Sequence, residues 1–499
     1  MAASVPEAPS HEASLKESPA TVDAAPVEAL GELVDEAKLI RKIDLNLLPV
    51  LTVLYLLSFL DRSNIGNAKL DGLTTDLNVP GANYNTSLAI YFVGYVLFEI
   101  PCNMILKRFN PRVWLPTLTL LWGITSVAQG LVSDQTGLFA VRFFLGMTEA
   151  GLFPGSIFLF SMYYPRRVRH YRVAIFFGGA AVAGAFGGAL AYAIGLMDGV
   201  GGRRGWSWIF ILEGCLTVVV SLAAYFLVPT WPRSATFLTE PERAYLLRRL
   251  SNDSDAADVE PFNWDGVRQA LGDHAVWGYA LLFHGFAFVL YSISLFMPTI
   301  IAELGFASWQ AQLMTVPPYA LAAASIWLAC YASYKASIRA PFIIGAAGVS
   351  FIGYILLIST STAGPQYLGV HLSTAGVYTG NALLLSWPAE NVSSQTKRAV
   401  AVALQISIGD LGAIVGVLVY RPDLAANLYR TPHIVAMAYL VFGSLVAGWL
   451  WFWLDKENKR REVVLSDRSE KGVEKEDGAD DVDARRKLGD RDLRWKYQL

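Results

Sequence analysis

The chain has 499 residues, of which 54% are hydrophobic and 16% charged, against roughly 25% charged in soluble domains. Of the 82 Asp, Glu, Lys and Arg side chains, 13 fall in residues 1–46, 13 in residues 230–275 and 26 in residues 455–499, leaving 30 for the other 362 residues. That is too little charge to solvate a globular surface of that size, which excludes a soluble multidomain enzyme and points to an all-α polytopic membrane protein.

In chain order, residues 1–30 are acidic, Pro- and Ala-rich and read as disordered, with no apolar segment to serve as a cleavable signal. Residues 31–46 read as a short amphipathic lead-in helix. Twelve apolar windows long enough to cross about 30 Å of hydrocarbon then follow. Six lie near 47–66, 86–107, 114–133, 137–162, 173–197 and 207–229, and six near 276–300, 311–334, 340–360, 366–388, 399–420 and 433–454. The charged segment 230–275 separates them as a linker, and the tail 455–499 reads as solvated. The expected domains are therefore an N-terminal bundle over 47–229 and a C-terminal bundle over 276–454, around a central cavity.

The loops set an orientation. Those after spans 2, 4, 8 and 10 hold eleven Lys or Arg, and those after the odd-numbered spans hold five. The positive-inside bias predicts that both termini and the linker are cytoplasmic. Cys102, Cys215 and Cys330 are far apart within apolar stretches and read as small hydrophobes. The sequon at Asn85 is predicted to sit outside, too close to a span to be a good acceptor. Span 5 (Gly178, Gly179, Gly184, Gly187, Gly188) and span 11 (Gly409, Gly412, Gly416) correspond in the two halves, and their small residues let helices approach closely.

A charge at mid-bilayer costs roughly 2.5–3.5 kcal/mol, so each ionisable residue within a span needs a reason. Arg142 and Glu149 are seven residues apart on span 4, two turns along one helix face. A planar guanidinium on a cavity wall fits a carboxylate, and a Glu on that face can exchange a proton. The structural alternative is an ion pair from span 4 to span 1, where Asp61 and Arg62 are available. Those two neighbours point about 100° apart, so they cannot make one contact; one is expected to face the cavity and the other a partner helix. Asp410 lies roughly 18 Å deep in span 11, with no basic residue in its own half to neutralise it, so it is either protonated or faces Arg62 or Arg142. His284 reads as a hydrogen-bonded core histidine, and Glu99 and Glu213 as residues near helix ends.

Several stretches are similar to the major facilitator superfamily and, within it, the anion:cation symporter family. They are Phe59-Leu60-Asp61-Arg62-Ser63-Asn64-Ile65-Gly66-Asn67-Ala68 in span 1, Arg142 to Gly155 in span 4, Gly205 to Gly214 in span 6, Pro298 to Gly305, and Thr396-Lys397-Arg398-Ala399. The resemblance is strongest to the fungal allantoate-permease branch, which includes nicotinate and pantothenate carriers, and it covers about residues 40–460. It implies the twelve-helix fold and proton-coupled uptake of a small organic anion, with Asp61 and Glu149 as the protonation sites and Arg62 and Arg142 engaging the anion. Asn391 and Asp410 are expected to complete the pocket. Where relatives show paired asparagines this chain has Glu390-Asn391, and where they show Gly-Asn it has Gly409-Asp410; two amides exchanged for acids point to a changed substrate. The resemblance also implies a plasma-membrane monomer whose partners are substrate, protons and lipid, with no cofactor, metal or nucleic acid. Export is the competing function, but span 5 has no proline from Val173 to Met197, and Glu149-Ala150-Gly151 fits the symporters better. Sensor and enzyme readings find no support in the short tails or in any catalytic motif.

Overall fold

The computed structural model describes residues 34–254, 263–470 and 489–499. The expected disorder of residues 1–30 lies outside them. Twelve long helices dominate the described residues. In the first half these are α1 (Glu36–Leu70), α2 (Gly81–Arg108), α3 (Pro111–Gln129), α4 (Gln135–Tyr163, interrupted at Ala150-Gly151), α5 (Arg166–Gly195) and α6 (Gly205–Leu227). In the second they are α7 (His274–Glu303), α8 (Val316–Ala336), α9 (Ala340–Ser359), α10 (Ala363–Leu384), α11 (Gln395–Val419) and α12 (Arg430–Glu470). The expected lead-in helix is not separate. It is the first turns of α1, capped by the Asp35 carboxylate on the amides of Ala37 and Lys38.

Ten of the helices are long and apolar enough to cross a membrane on length and composition alone. The other two, α3 and α10, are diluted by Pro, Thr and Trp or by side chains such as Gln366, Ser373, Thr374 and Asn381. Packing holds them: α3 lies against α6 and α4, and α10 against α9, α8 and α7. The outer surface is apolar, with Leu97, Ile124, Val219, Phe226, Leu445 and Phe452 all exposed. The ionisable side chains of the spans are instead buried at the centre, the reverse of a water-soluble bundle.

The packing repeats between halves. In the first, α1 packs on α5 and α6, α3 on α6 and α4, and α2 on α4. In the second, α7 packs on α11 and α12, α9 on α12 and α10, and α8 on α10. The halves meet where α5 packs on α8, α2 on α11 and α1 on α7. The glycine stripes serve these contacts unequally. On α5, Gly178, Gly184 and Gly188 admit Trp327, Tyr319 and, at Gly188, the Thr315 hydroxyl with the Gln312 carbonyl across the interface, while Gly179 and Gly187 meet α1. On α11, Gly409, Gly412 and Gly416 all receive α7, at Phe283, His284 and Phe288, within one half.

One end of the bundle carries the basic loops. Here Arg169 donates to the backbone of Ala389 (3.2 Å) and Arg166 to that of Glu390, joining the halves. Residues 489–499, expected as solvated tail, lie on this basic face. The Asn391 side-chain amide accepts from the Gln498 backbone N–H (2.7 Å) and donates to its carbonyl (2.9 Å), and Asp490 meets Lys397 at 2.5 Å. The Arg166 guanidinium stacks 3.8 Å over Trp495. At the opposite end Asn85 donates to the carbonyls of Val417 and Tyr420 (both 2.9 Å), and Gln312 to Asp71 (2.9 Å). Buried in that contact, Asn85 is unavailable as a glycosylation acceptor.

Candidate transport site

The site lies where α1, α2, α4, α7 and α11 converge. Gly94 and Gly146 let the backbones of α2 and α4 touch, with Gly146 directly against Tyr91 and Gly94 against Phe143; any side chain there would push the helices apart. This approach sets Tyr91 between Arg62 and Arg142. The Arg62 and Arg142 guanidinium carbons each lie 5.1 Å from its ring centre. Tyr95 and Tyr291, each 5.4 Å from the Arg62 guanidinium carbon, complete an aromatic collar.

Arg62 makes two charge-assisted contacts. One Nη donates to Glu149 Oε1 at 2.6 Å, and the other to the Tyr291 hydroxyl on α7 at 2.6 Å. Glu149 ends the first segment of α4, just before the Ala150-Gly151 interruption. Its carboxylate also accepts from Ser58 and, through Oε2, from Tyr91 at 2.7 Å. The Arg62 and Glu149 side chains are 5% and 1% exposed, so removing either partner would strand a buried charge at a cost of roughly 3–5 kcal/mol. Arg142 differs. It is fully buried, yet none of its three guanidinium nitrogens has a hydrogen-bond partner among the described residues.

Asp61, next to Arg62 in sequence, points the other way. Its carboxylate accepts from Trp122 (3.0 Å) and Ser126 (2.8 Å) on α3 and from Thr217 (3.3 Å) on α6. Asn64 donates to Glu213 in the same region. Asp410 lines the central cavity with Arg62, Tyr95, Phe177, Phe283 and Tyr291. Close by, Ser407 on α11 donates to Glu99 on α2 at 2.7 Å. Glu99 and Glu213, read as helix-end residues, are thus buried participants of these clusters. His284 bonds the Ile408 carbonyl at 2.8 Å, as a core histidine would.

The structure therefore brings Arg62, Arg142 and Glu149 together around Tyr91, with Asp410 across the cavity from them, and sets Asp61 apart. Asn391 is elsewhere. It lies on the basic face, donating to Tyr279 (2.7 Å) and pairing with Gln498. Glu390 forms a buried ion pair with Arg339, so its charge is balanced locally. Sequence reading missed Ser58, Tyr91, Tyr95 and Tyr291. A tyrosine within a span reads as one more apolar residue, and only the i, i+4 spacing of Tyr91 and Tyr95 could have marked a shared face.

Twelve helices with lipid-facing apolar surfaces, enclosing buried charges at a central cavity, define a multi-pass membrane transporter. The sequence profile of the Major Facilitator Superfamily matches residues 51–417, and the chain belongs to that superfamily. It is 36% identical over 438 residues to the MFS-type transporter cnsO of Penicillium expansum, covering 85% of this chain and 84% of that one. It is 29% identical to the high-affinity nicotinic acid transporter of Saccharomyces cerevisiae, covering 93% and 85%. Among solved structures, the proton:xylose symporter XylE superposes with a TM-score of 0.63 at 17% identity, over 84% of this chain and 96% of that one; this likeness is one of fold. The protein is thus a transporter of small molecules rather than an enzyme.

Proposed function

We propose that the protein takes up a small organic anion (a monocarboxylate, vitamin-like or ureido acid) together with protons, by alternating access. The observation that carries this reading is the buried Arg62–Glu149 pair beside Arg142, whose guanidinium has no hydrogen-bond partner among the described residues. A carboxylate entering the cavity takes the place of Glu149 on Arg62, and this is favourable only once Glu149 has accepted a proton; otherwise two anions compete for one cation in a medium of low dielectric. Protonation and substrate binding are thereby linked. Arg142 supplies a second positive charge behind Tyr91. Asp61, held by neutral donors, is a second protonation site that does not touch substrate.

Because Arg62 reaches Tyr291 on α7, exchange at Arg62 alters a contact between the halves. The segments 47–229 and 276–454 rock about the cavity as two units, with 230–275 linking them. The basic face is cytoplasmic with both termini inside, an orientation supported by loop charge, and the chain works as a plasma-membrane monomer. The nicotinic acid transporter among its relatives supports a carboxylate substrate. The test is uptake of labelled carboxylates (nicotinate, pantothenate, allantoate and sugar acids) into proteoliposomes under an inward proton gradient. Accumulation of at least one acid, lost on Arg62→Ala, is expected. Efflux of another compound driven by the gradient, with no acid accumulated, would replace uptake by export.

A further inference from the structure

Anion uptake leaves one cavity charge unused. Among the described residues, Arg62 and Asp410 are the only formally charged side chains lining the central cavity, and they come from opposite halves of the molecule, α1 and α11. Arg62 is already balanced by Glu149. Asp410 is buried and forms no ion pair among the described residues; Arg62, across the cavity, acts on it only through space. The flank behind it is acidic as well, since Ser407, one turn earlier on α11, holds Glu99 of α2. The cavity is thus polarised between Arg62 of α1, with Arg142 behind Tyr91, and Asp410 of α11, with Glu99 behind it. Between these poles the walls are rings: Tyr55, Phe153 and Phe177 on one side, Phe283 and Tyr291 on the other. Tyr55 and Phe153 lie 5.2 Å apart and both pack on Phe176, which gives a rigid apolar wall.

A carboxylate alone satisfies the arginine pole and repels the other. A molecule with a carboxylate at one end and a protonated nitrogen at the other satisfies both, and bridges the two halves in doing so. We propose that the substrate is a small zwitterion with a flat, apolar body: its carboxylate lies on Arg62, its cationic nitrogen on Asp410, and its body between the rings. This inference rests on the proton-coupled anion reading and adds the second pole. It makes Asp410 the residue that selects for positive nitrogen.

The test uses the purified full-length chain and three compounds on one benzene ring that carry both charged groups or one of them: 3-(aminomethyl)benzoate (zwitterion), 3-methylbenzoate (anion) and benzylamine (cation). Binding is measured for wild type, Asp410→Asn and Asp410→Glu, with proton-driven uptake run alongside. Wild type is expected to bind the zwitterion at least about tenfold more tightly than the anion, a preference of about 1.4 kcal/mol. Asp410→Asn should abolish or invert that preference, and Asp410→Glu should keep it. Equal binding of zwitterion and anion, or a preference for the anion unaltered by Asp410→Asn, would overturn the second pole while leaving anion uptake standing. Binding of benzylamine with neither acid recognised would overturn both readings.

Discussion

Asp61 and Glu149 are both buried carboxylates of the first half, and their neighbourhoods differ in kind. Around Asp61 the donors are neutral and come from α3 and α6, which pack with α1 in the same half. Around Glu149 the main partner is a cation, and that cation is bound in turn to Tyr291 of the other half. Relative movement of the halves leaves the first set of contacts intact and disturbs the second. Of these two carboxylates only Glu149 is linked to the other half, through Arg62 and its bond to Tyr291. The lesson is local: neighbours on one helix point about 100° apart, so Arg62 faces the cavity while Asp61 faces a packing seam.

Mutations can break this contrast in order of expected effect. Arg62→Ala should be the most damaging, because it strands Glu149: a stability loss of roughly 3–5 kcal/mol, read by denaturation in detergent, with transport lost. Glu149→Gln should fold with a smaller loss, because the amide oxygen still accepts from Arg62 and Ser58 while its nitrogen, in place of Oε2, donates to the Tyr91 hydroxyl. Substrate binding, tighter at low pH in wild type, should become independent of pH when titrated over several units. Arg142→Ala should weaken substrate binding by about 10–100-fold, or about 1.4–2.8 kcal/mol. Its melting temperature should fall less than that of Arg62→Ala, because only packing against Tyr91 is lost and no buried carboxylate is stranded. Asp61→Asn should cost about 1 kcal/mol of stability and slow uptake without abolishing it. A loss as complete as that of Glu149→Gln would erase the distinction between the two carboxylates.

A smaller effect concerns the basic face, where residues 489–499 touch both Arg166 of α5 and the short turn Trp387–Asn391 that follows α10. In a background without the three native cysteines, Trp495→Ala should raise the rate at which Cys at position 386 (Ser386→Cys) is modified by a polar thiol reagent by severalfold. An unchanged rate would mean that the segment does not restrain opening at that face.

Much of this arrangement was legible in the sequence because hydrophobicity and depth in a bilayer are properties of short windows. The twelve spans, the shared face of Arg142 and Glu149, and the divergence of Asp61 from Arg62 all follow from helical period. The pairing of span 4 with span 1 was legible as an alternative. Contacts set by distant segments were not. Glu390 looked like an uncompensated acid because Arg339, its partner, is 51 positions away, and Asn391 looked like a pocket residue because Gln498 lies 107 positions on. The tyrosine collar was hidden because an aromatic ring contributes to apolarity and to cation binding alike.

The most direct test of the exchange at Arg62 is simultaneous recording of substrate uptake and luminal acidification in proteoliposomes, for wild type and Glu149→Gln, alongside counterflow with substrate on both sides. Wild type should acidify the lumen in step with uptake. Glu149→Gln should retain counterflow while losing both acidification and net accumulation, since the amide permits substrate exchange at Arg62 but carries no proton. Accumulation and acidification at wild-type levels in Glu149→Gln would contradict the account.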